Sequence, residues 1–140
     1  MDQEPDSVAL LSIKPEYVDA IFKGEKRVEF RRTRFARNVS HIIVYATQPV
    51  GAVVGYFEVG LIEENTPDRL WDSFGTVGCI DKDKFDQYFD GTSIGYAIGV
   101  KNPVRLSENA SLNRYSGLSR PPQSFAYLGG REKARFAKAV

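Results

Sequence analysis

An α+β fold built on a mostly antiparallel, curved sheet or small barrel is predicted by three observations. Five or so β-type runs are interrupted by short helical segments. The separations between those runs are too short for a regular series of βαβ crossovers. The chain has 140 residues, 42% of them hydrophobic, which suits one domain with a real core.

The elements follow in order. Val8-Ala9-Leu10-Leu11-Ser12-Ile13 reads as a first apolar strand. Pro15 suits the first turn of a helix in which Tyr17, Val18, Ile21 and Phe22 recur at helical spacing, and Gly24 ends it. Further strands are expected at 26–33, 41–47, 52–62 and 93–100. Thr66 followed by Pro67 starts a second helix, and Asp81 caps a third whose Phe85, Tyr88 and Phe89 form one stripe. From Ser107 to Arg120 the chain turns polar, Pro121-Pro122 forces extension, and residues 123–128 read as an arm that packs back. The expected organisation is a disordered N-terminus over 1–7, one domain over 8–128, and a C-terminal tail or short helix over 129–140.

Several function classes fall away on composition. The apolar runs are far shorter than the roughly 20 residues that span a bilayer, and the acidic start lacks signal-peptide character, so a cytoplasmic protein is expected. A single cysteine, Cys79, gives neither a disulfide nor a multi-thiolate zinc site, and its expected use is as a small filler beside Val77 and Ile80. His41 is the one histidine, too few for a metal triad, and reads as a polar residue at a strand start. No phosphate loop or dinucleotide fingerprint occurs. Neither a metal nor a cofactor is therefore expected.

The net charge of +1 conceals segregation. Residues 23–41 carry seven Lys or Arg against two acids, residues 58–90 carry nine acids against three cations, and residues 101–140 carry eight cations against two acids. Two basic segments brought onto one face would attract phosphates locally, since fields reach only about 8 Å at physiological salt.

Gly24-Glu25-Lys26-Arg27-Val28-Glu29-Phe30-Arg31 is the densest concentration of site chemistry. Arg27, Glu29 and Arg31 recur with the strand period of two, leaving Val28 and Phe30 for a core. Lys26 has the wrong parity and joins that face only if the turn at Gly24 or a bulge re-aims it.

The pattern G-x-K-x-x-E-x-R, together with Ser12-Ile13-Lys14-Pro15 before the helix and the runs Ile42–Ala46 and Val53–Val59 after it, resembles the ASCH domain family over most of residues 8–104. The resemblance implies a PUA-like β-pseudo-barrel of about five to six mostly antiparallel strands with short helices at its ends. It also implies RNA or other nucleic-acid chemistry.

Two functions are carried forward. One is a binding module for RNA, single-stranded nucleic acid or a modified nucleoside, with Lys14, Arg31, Gln123, Ser124 and Phe125 holding the ligand and Arg32, Arg34 and Arg37 holding phosphates. The alternative is a metal-independent hydrolase in which Lys26 and Glu29 form an acid–base pair. Some small bacterial ASCH proteins are amidohydrolases on N4-acetylcytidine, using a lysine, a threonine and a glutamate, and ribonuclease activity is implied for others. The lysine corresponds to Lys26, while Glu29 stands at the threonine's position. Among the aromatics, Trp71 is expected in the core and Tyr96 inward or in a barrel mouth, with Phe125 and Tyr127 as a pocket wall.

Overall fold

The computed structural model describes residues 6–140. Strand β1 (Ser7–Ile13) leads through helix α1 (Pro15–Phe22) to β2 (Val28–Arg31), β3 (Val39–Ala46) and β4 (Ala52–Asn65). Helices α2 (Pro67–Phe74) and α3 (Lys82–Tyr88) precede β5 (Gly95–Ala110), then come α4 (Leu112–Ser116), β6 (Phe125–Tyr127) and α5 (Gly130–Ala139). The expected disordered stretch thus divides: residues 1–5 lie outside the described residues, and Ser7 is already in β1.

The six strands form one sheet in the order β2-β5-β4-β3-β1-β6. Only β1 and β3 run parallel; the other pairs are antiparallel. Strands β4 and β5 are long, 14 and 16 residues, and their pairing shifts register between Val53 and Gly55, Tyr56 and Glu58, and Val59 and Ile62. Each such bulge adds twist and bend, so the sheet curls into a half-barrel.

Alternation along the strands sorts the core. Leu11, Ile13, Ile42, Val44 and Phe57 pack with Val18 and Ile21 of α1. The opposite face, carrying Leu10, Ile43, Tyr45 and Val53, is covered by Tyr115 of α4 and Phe136 of α5. Val28, Phe30 and Ala97 are covered by Leu70, Phe85 and Phe89 from α2 and α3. The C-terminal segment is therefore a docked helix, its Phe136 ring lying edge-on to Tyr56 at 5.3 Å.

Several strand ends differ from the sequence reading: β2 ends at Arg31 rather than 33, β3 starts at Val39 rather than 41, β4 runs to Asn65 rather than 62, and β5 starts at Gly95 rather than 93. β2 starts at Val28, not 26, and β5 runs on to Ala110, beyond the expected end at 100. Past Val100, β5 pairs with β4 alone and its residues are largely exposed, so the hydrophobic alternation that marks a half-buried strand is missing there.

Strands β2 and β6 are the two edges of the sheet, and residues 32–37 strap them together. Phe35 meets Phe125 edge-on at 4.8 Å, and the backbone N–H groups of Ala36 and Arg37 donate to the Tyr127 hydroxyl at 2.8 and 3.3 Å. The Arg37 guanidinium lies 4.4 Å from the Tyr127 ring centre. No helix among the described residues is long and apolar enough to cross a membrane.

Candidate functional site

A cleft of about 660 Å³ opens where α1, β2 and α3 meet the arm that follows α4. The lysine of the motif reaches it from outside β2. Gly24, at φ +80°, turns the chain after α1, and the N–H groups of Glu25 and Lys26 both donate to the Ala20 carbonyl. Lys26 is thereby detached from strand parity and folded back under Tyr17, whose ring centre is 5.1 Å from its Nζ.

Lys26 is 2% exposed, Glu29 7% and Arg31 9%. Burying a charge costs several kcal/mol unless it is paired, so the three must be read together. Glu29 supplies the pairing: its carboxylate lies 3.6 Å from Lys26 Nζ and 3.2 Å from Arg31 Nη2. Lys26 also donates to the Gly78 carbonyl, and Arg31 Nη2 donates to the Ser12 carbonyl at 2.9 Å. A side chain at position 78 would put its Cβ 2.4 Å from the Phe30 ring, so glycine there lets the Lys26 acceptor approach. Arg31 Nε, in contrast, is buried without a hydrogen-bond partner among the described residues.

The wall is built by local hydrogen bonds. Ser12 donates through its hydroxyl to the Pro122 carbonyl at 2.8 Å and through its N–H to the Ser124 carbonyl at 3.3 Å, which fixes the arm so that Gln123 lines the cleft. Across the mouth, Lys84 of α3 lies 3.7 Å from Glu16 of α1. Arg32 stacks at 4.8 Å from the Tyr88 ring centre, and its N–H donates to the Tyr88 hydroxyl. Burial raises the Tyr17 phenol above its ordinary 10.0, with Glu16, Glu29 and Asp81 acting in the same direction, so it is a hydroxyl donor at neutral pH. Five cations and one carboxylate line the cleft.

Lys14, Lys26, Glu29, Arg31 and Gln123 thus share one cleft, with Arg32 at its edge. Ser124 and Phe125 do not line it: Ser124 offers its carbonyl to β1, and Phe125 grips Phe35 in the strap. Arg34 and Arg37 lie on the other side of the strap, in a second cleft of about 600 Å³. Trp71 packs on Phe85 as a core residue, 5.0 Å between rings, and Tyr96 lines the second cleft. Sequence reasoning passed over Tyr17 and Tyr88, both read as part of apolar helix stripes. Their signal was a phenol on a helix flanking the motif strand, which a stripe of mixed Phe and Tyr conceals.

Among the described residues no group of three or more His, Cys, Asp or Glu is placed to hold a metal ion. The chain is 32% identical over 127 residues to an ASCH domain-containing ribonuclease of Zymomonas mobilis, covering 89% of this chain and 86% of that protein. The crystal structure of ASCH from Zymomonas mobilis superposes with a TM-score of 0.84 at 28% identity and 94% coverage of both chains. A large ribosomal subunit protein uL22 of Ureaplasma parvum is 26% identical over 128 residues, but this chain spans only 41% of that protein. The ASCH domain itself is matched over residues 11–120, the stretch that contains the Lys26, Glu29 and Arg31 cleft, and the chain belongs to the ASCH domain family.

Proposed function

We propose that this protein binds RNA in the Lys26–Glu29–Arg31 cleft and cleaves it, with the phosphate held by Arg31 and Lys26. The observation that carries this reading is the imbalance of buried charge: two buried cations share one carboxylate, and Arg31 Nε has no partner among the described residues. A buried donor left unpaired costs about 1–3 kcal/mol, and a phosphate oxygen satisfies it with a charge-assisted bond. Lys14, Arg32 and Lys84 extend the positive wall toward solvent, where a strand's neighbouring phosphates pass. Turnover is supported by the ribonuclease of Zymomonas mobilis, similar along most of both chains.

In cleavage by a ribose 2′-hydroxyl, the P–O2′ bond forms as the P–O5′ bond breaks, the O2′ proton passes to water, the leaving O5′ takes a proton from water, and charge accumulates on the phosphoryl oxygens. Cations fixed in a partly dehydrated cleft meet that charge without reorganising. Glu29 acts as the positioning residue: clamped between Lys26 and Arg31, its carboxylate holds both where the phosphate arrives. Tyr17 and Gln123 offer polar edges for a base or sugar.

The test pairs wild type with Lys26→Ala and Arg31→Lys on single-stranded RNA, with products followed by chromatography and N4-acetylcytidine as a parallel substrate. Losing one preorganised donor is expected to slow RNA cleavage by about 100- to 1,000-fold. Cleavage that persists in both variants overturns the assignment. Deacetylation that disappears with Lys26, without RNA cleavage by wild type, replaces the ribonuclease with an acyl-nucleoside hydrolase.

A further inference from the structure

The register of β2 against β5 places the two clefts side by side. Glu29 pairs with Ile98 and Arg31 with Tyr96. The first member of each pair lines the motif cleft, and the second lines the cleft beyond the strap. Directly opposed residues on neighbouring strands share a face and stand about 5 Å apart at Cβ. The two clefts are thus separated by one strand spacing and by the residues of the strap.

Three cations line the second cleft: Arg34, Arg37 and Lys101. All are exposed, and among the described residues none forms an ion pair. The cleft also holds two carboxylates, Glu58, which stands opposite Lys101 across β4 and β5, and Asp6, and each has a partner other than these cations. Glu58 accepts from Asn102 Nδ2 at 2.7 Å and faces His41 Nε2 at 4.0 Å, while Asp6 accepts from Asn38 Nδ2 at 2.9 Å. Apolar surface lies beside the cations, because the register shift between Val59 and Ile62 turns Leu61 outward to 92% exposure. Exposed cations outside any ion pair, beside an aromatic and an aliphatic surface, suit a nucleotide, with phosphate on the charges and sugar or base on the apolar wall.

We propose that the second cleft is an RNA subsite, taking nucleotides of the same single strand whose phosphate occupies the motif cleft, with Arg34, Arg37 and Lys101 as its phosphate-binding residues. The inference rests on the RNA reading of the motif cleft. It adds a direction: the strand crosses the strap at Arg32 and Thr33. A short oligonucleotide fills only the first cleft, and a longer one fills both.

The experiment measures binding of a dinucleotide and of an octanucleotide of RNA, blocked against cleavage by 2′-O-methylation, to the full chain at several salt concentrations. Wild type is expected to bind the octanucleotide on the order of 10- to 100-fold more tightly, as linked sites do. In the Arg34→Ala/Arg37→Ala/Lys101→Ala variant that ratio is expected to collapse toward one. The slope of log K against log salt for the octanucleotide should become shallower by about 2, or roughly 0.7 for each phosphate that is no longer neutralised. Since Arg37 also rests on Tyr127, the Arg34→Ala/Lys101→Ala variant repeats the measurement with the strap intact and should lose most of the ratio. A length advantage that survives both variants overturns the subsite and leaves the motif cleft standing. Failure of wild type to bind either RNA removes the RNA reading, and the subsite with it.

Discussion

In the motif cleft, Lys26 and Arg31 are almost wholly enclosed and are held by Glu29, Gly78 and Ser12; in the neighbouring cleft, Arg34, Arg37 and Lys101 stand in solvent. Both arrangements present positive charge to a 600–660 Å³ space, at opposite cost to the fold. The buried cations lose hydration during folding and depend on one carboxylate for compensation. The exposed ones keep their water and are weakened by salt. Geometry is fixed in the first cleft and adjustable in the second, the division expected when one site holds the reacting group and the other holds the rest of the strand.

The largest expected effect breaks the buried arrangement. Glu29→Ala leaves Lys26 and Arg31 buried, close and uncompensated, and should destabilise the protein by about 3–5 kcal/mol in urea unfolding. A loss below about 1 kcal/mol would mean that the cations regain water easily, and that the two clefts differ less than their exposures indicate.

Alkaline titration probes one phenol in each cleft. Tyr17 and Tyr96 both titrate above the ordinary 10.0, Tyr17 through burial and the nearby Glu16, Glu29 and Asp81, Tyr96 through burial and Glu64. Exposed Lys82, hydrogen-bonded to Asp86, is raised above 10.5. In each case the unfolded chain releases its proton first, so stability present below pH 10 is lost as pH climbs through the folded values. Unfolding followed at successive pH values should show that decline, and Tyr17→Phe and Tyr96→Phe should each flatten part of it. A decline unchanged by both would assign it elsewhere.

The smallest expected effect belongs to the second cleft. Arg34→Ala with Lys101→Ala removes two solvated charges and should change unfolding stability by no more than about 0.5 kcal/mol. A larger loss would show that these residues hold the fold together.

The fold was legible where hydrophobic period and burial coincide. β1, α1, β3 and the Phe85–Phe89 stripe present apolar residues at a recognisable spacing, and each stands where that spacing put it. Legibility failed where pairing outruns burial. The far half of β5 is held by β4 while most of its side chains face solvent, and the polar residues of α4 conceal a helix pinned by Leu112 and Tyr115. In the site, strand parity placed Arg27, Glu29 and Arg31 on one face; Glu29 and Arg31 line the cleft, Arg27 is exposed ahead of β2, and the location of Lys26 depended on how a glycine turn unwinds, which parity does not encode. Phe125 illustrates the remaining limit. An aromatic on an extended arm can wall a pocket or grip another aromatic, and only the position of Phe35, ninety residues earlier, decides between them.

The overhang of β5 beyond β2 bears on edge-to-edge association. Since β2 covers only Tyr96 to Gly99, and the Val100 N–H donates to the Arg27 carbonyl, the outer side of β5 from Lys101 onward has no strand partner among the described residues, the kind of edge on which a second chain can template. That stretch carries Pro103, which has no N–H to offer, and charged side chains at Lys101, Arg105 and Glu108, with Arg105 reaching back to Asp19 of α1 at 3.3 Å. The polar composition that hid the strand in the sequence also discourages edge-to-edge aggregation along it.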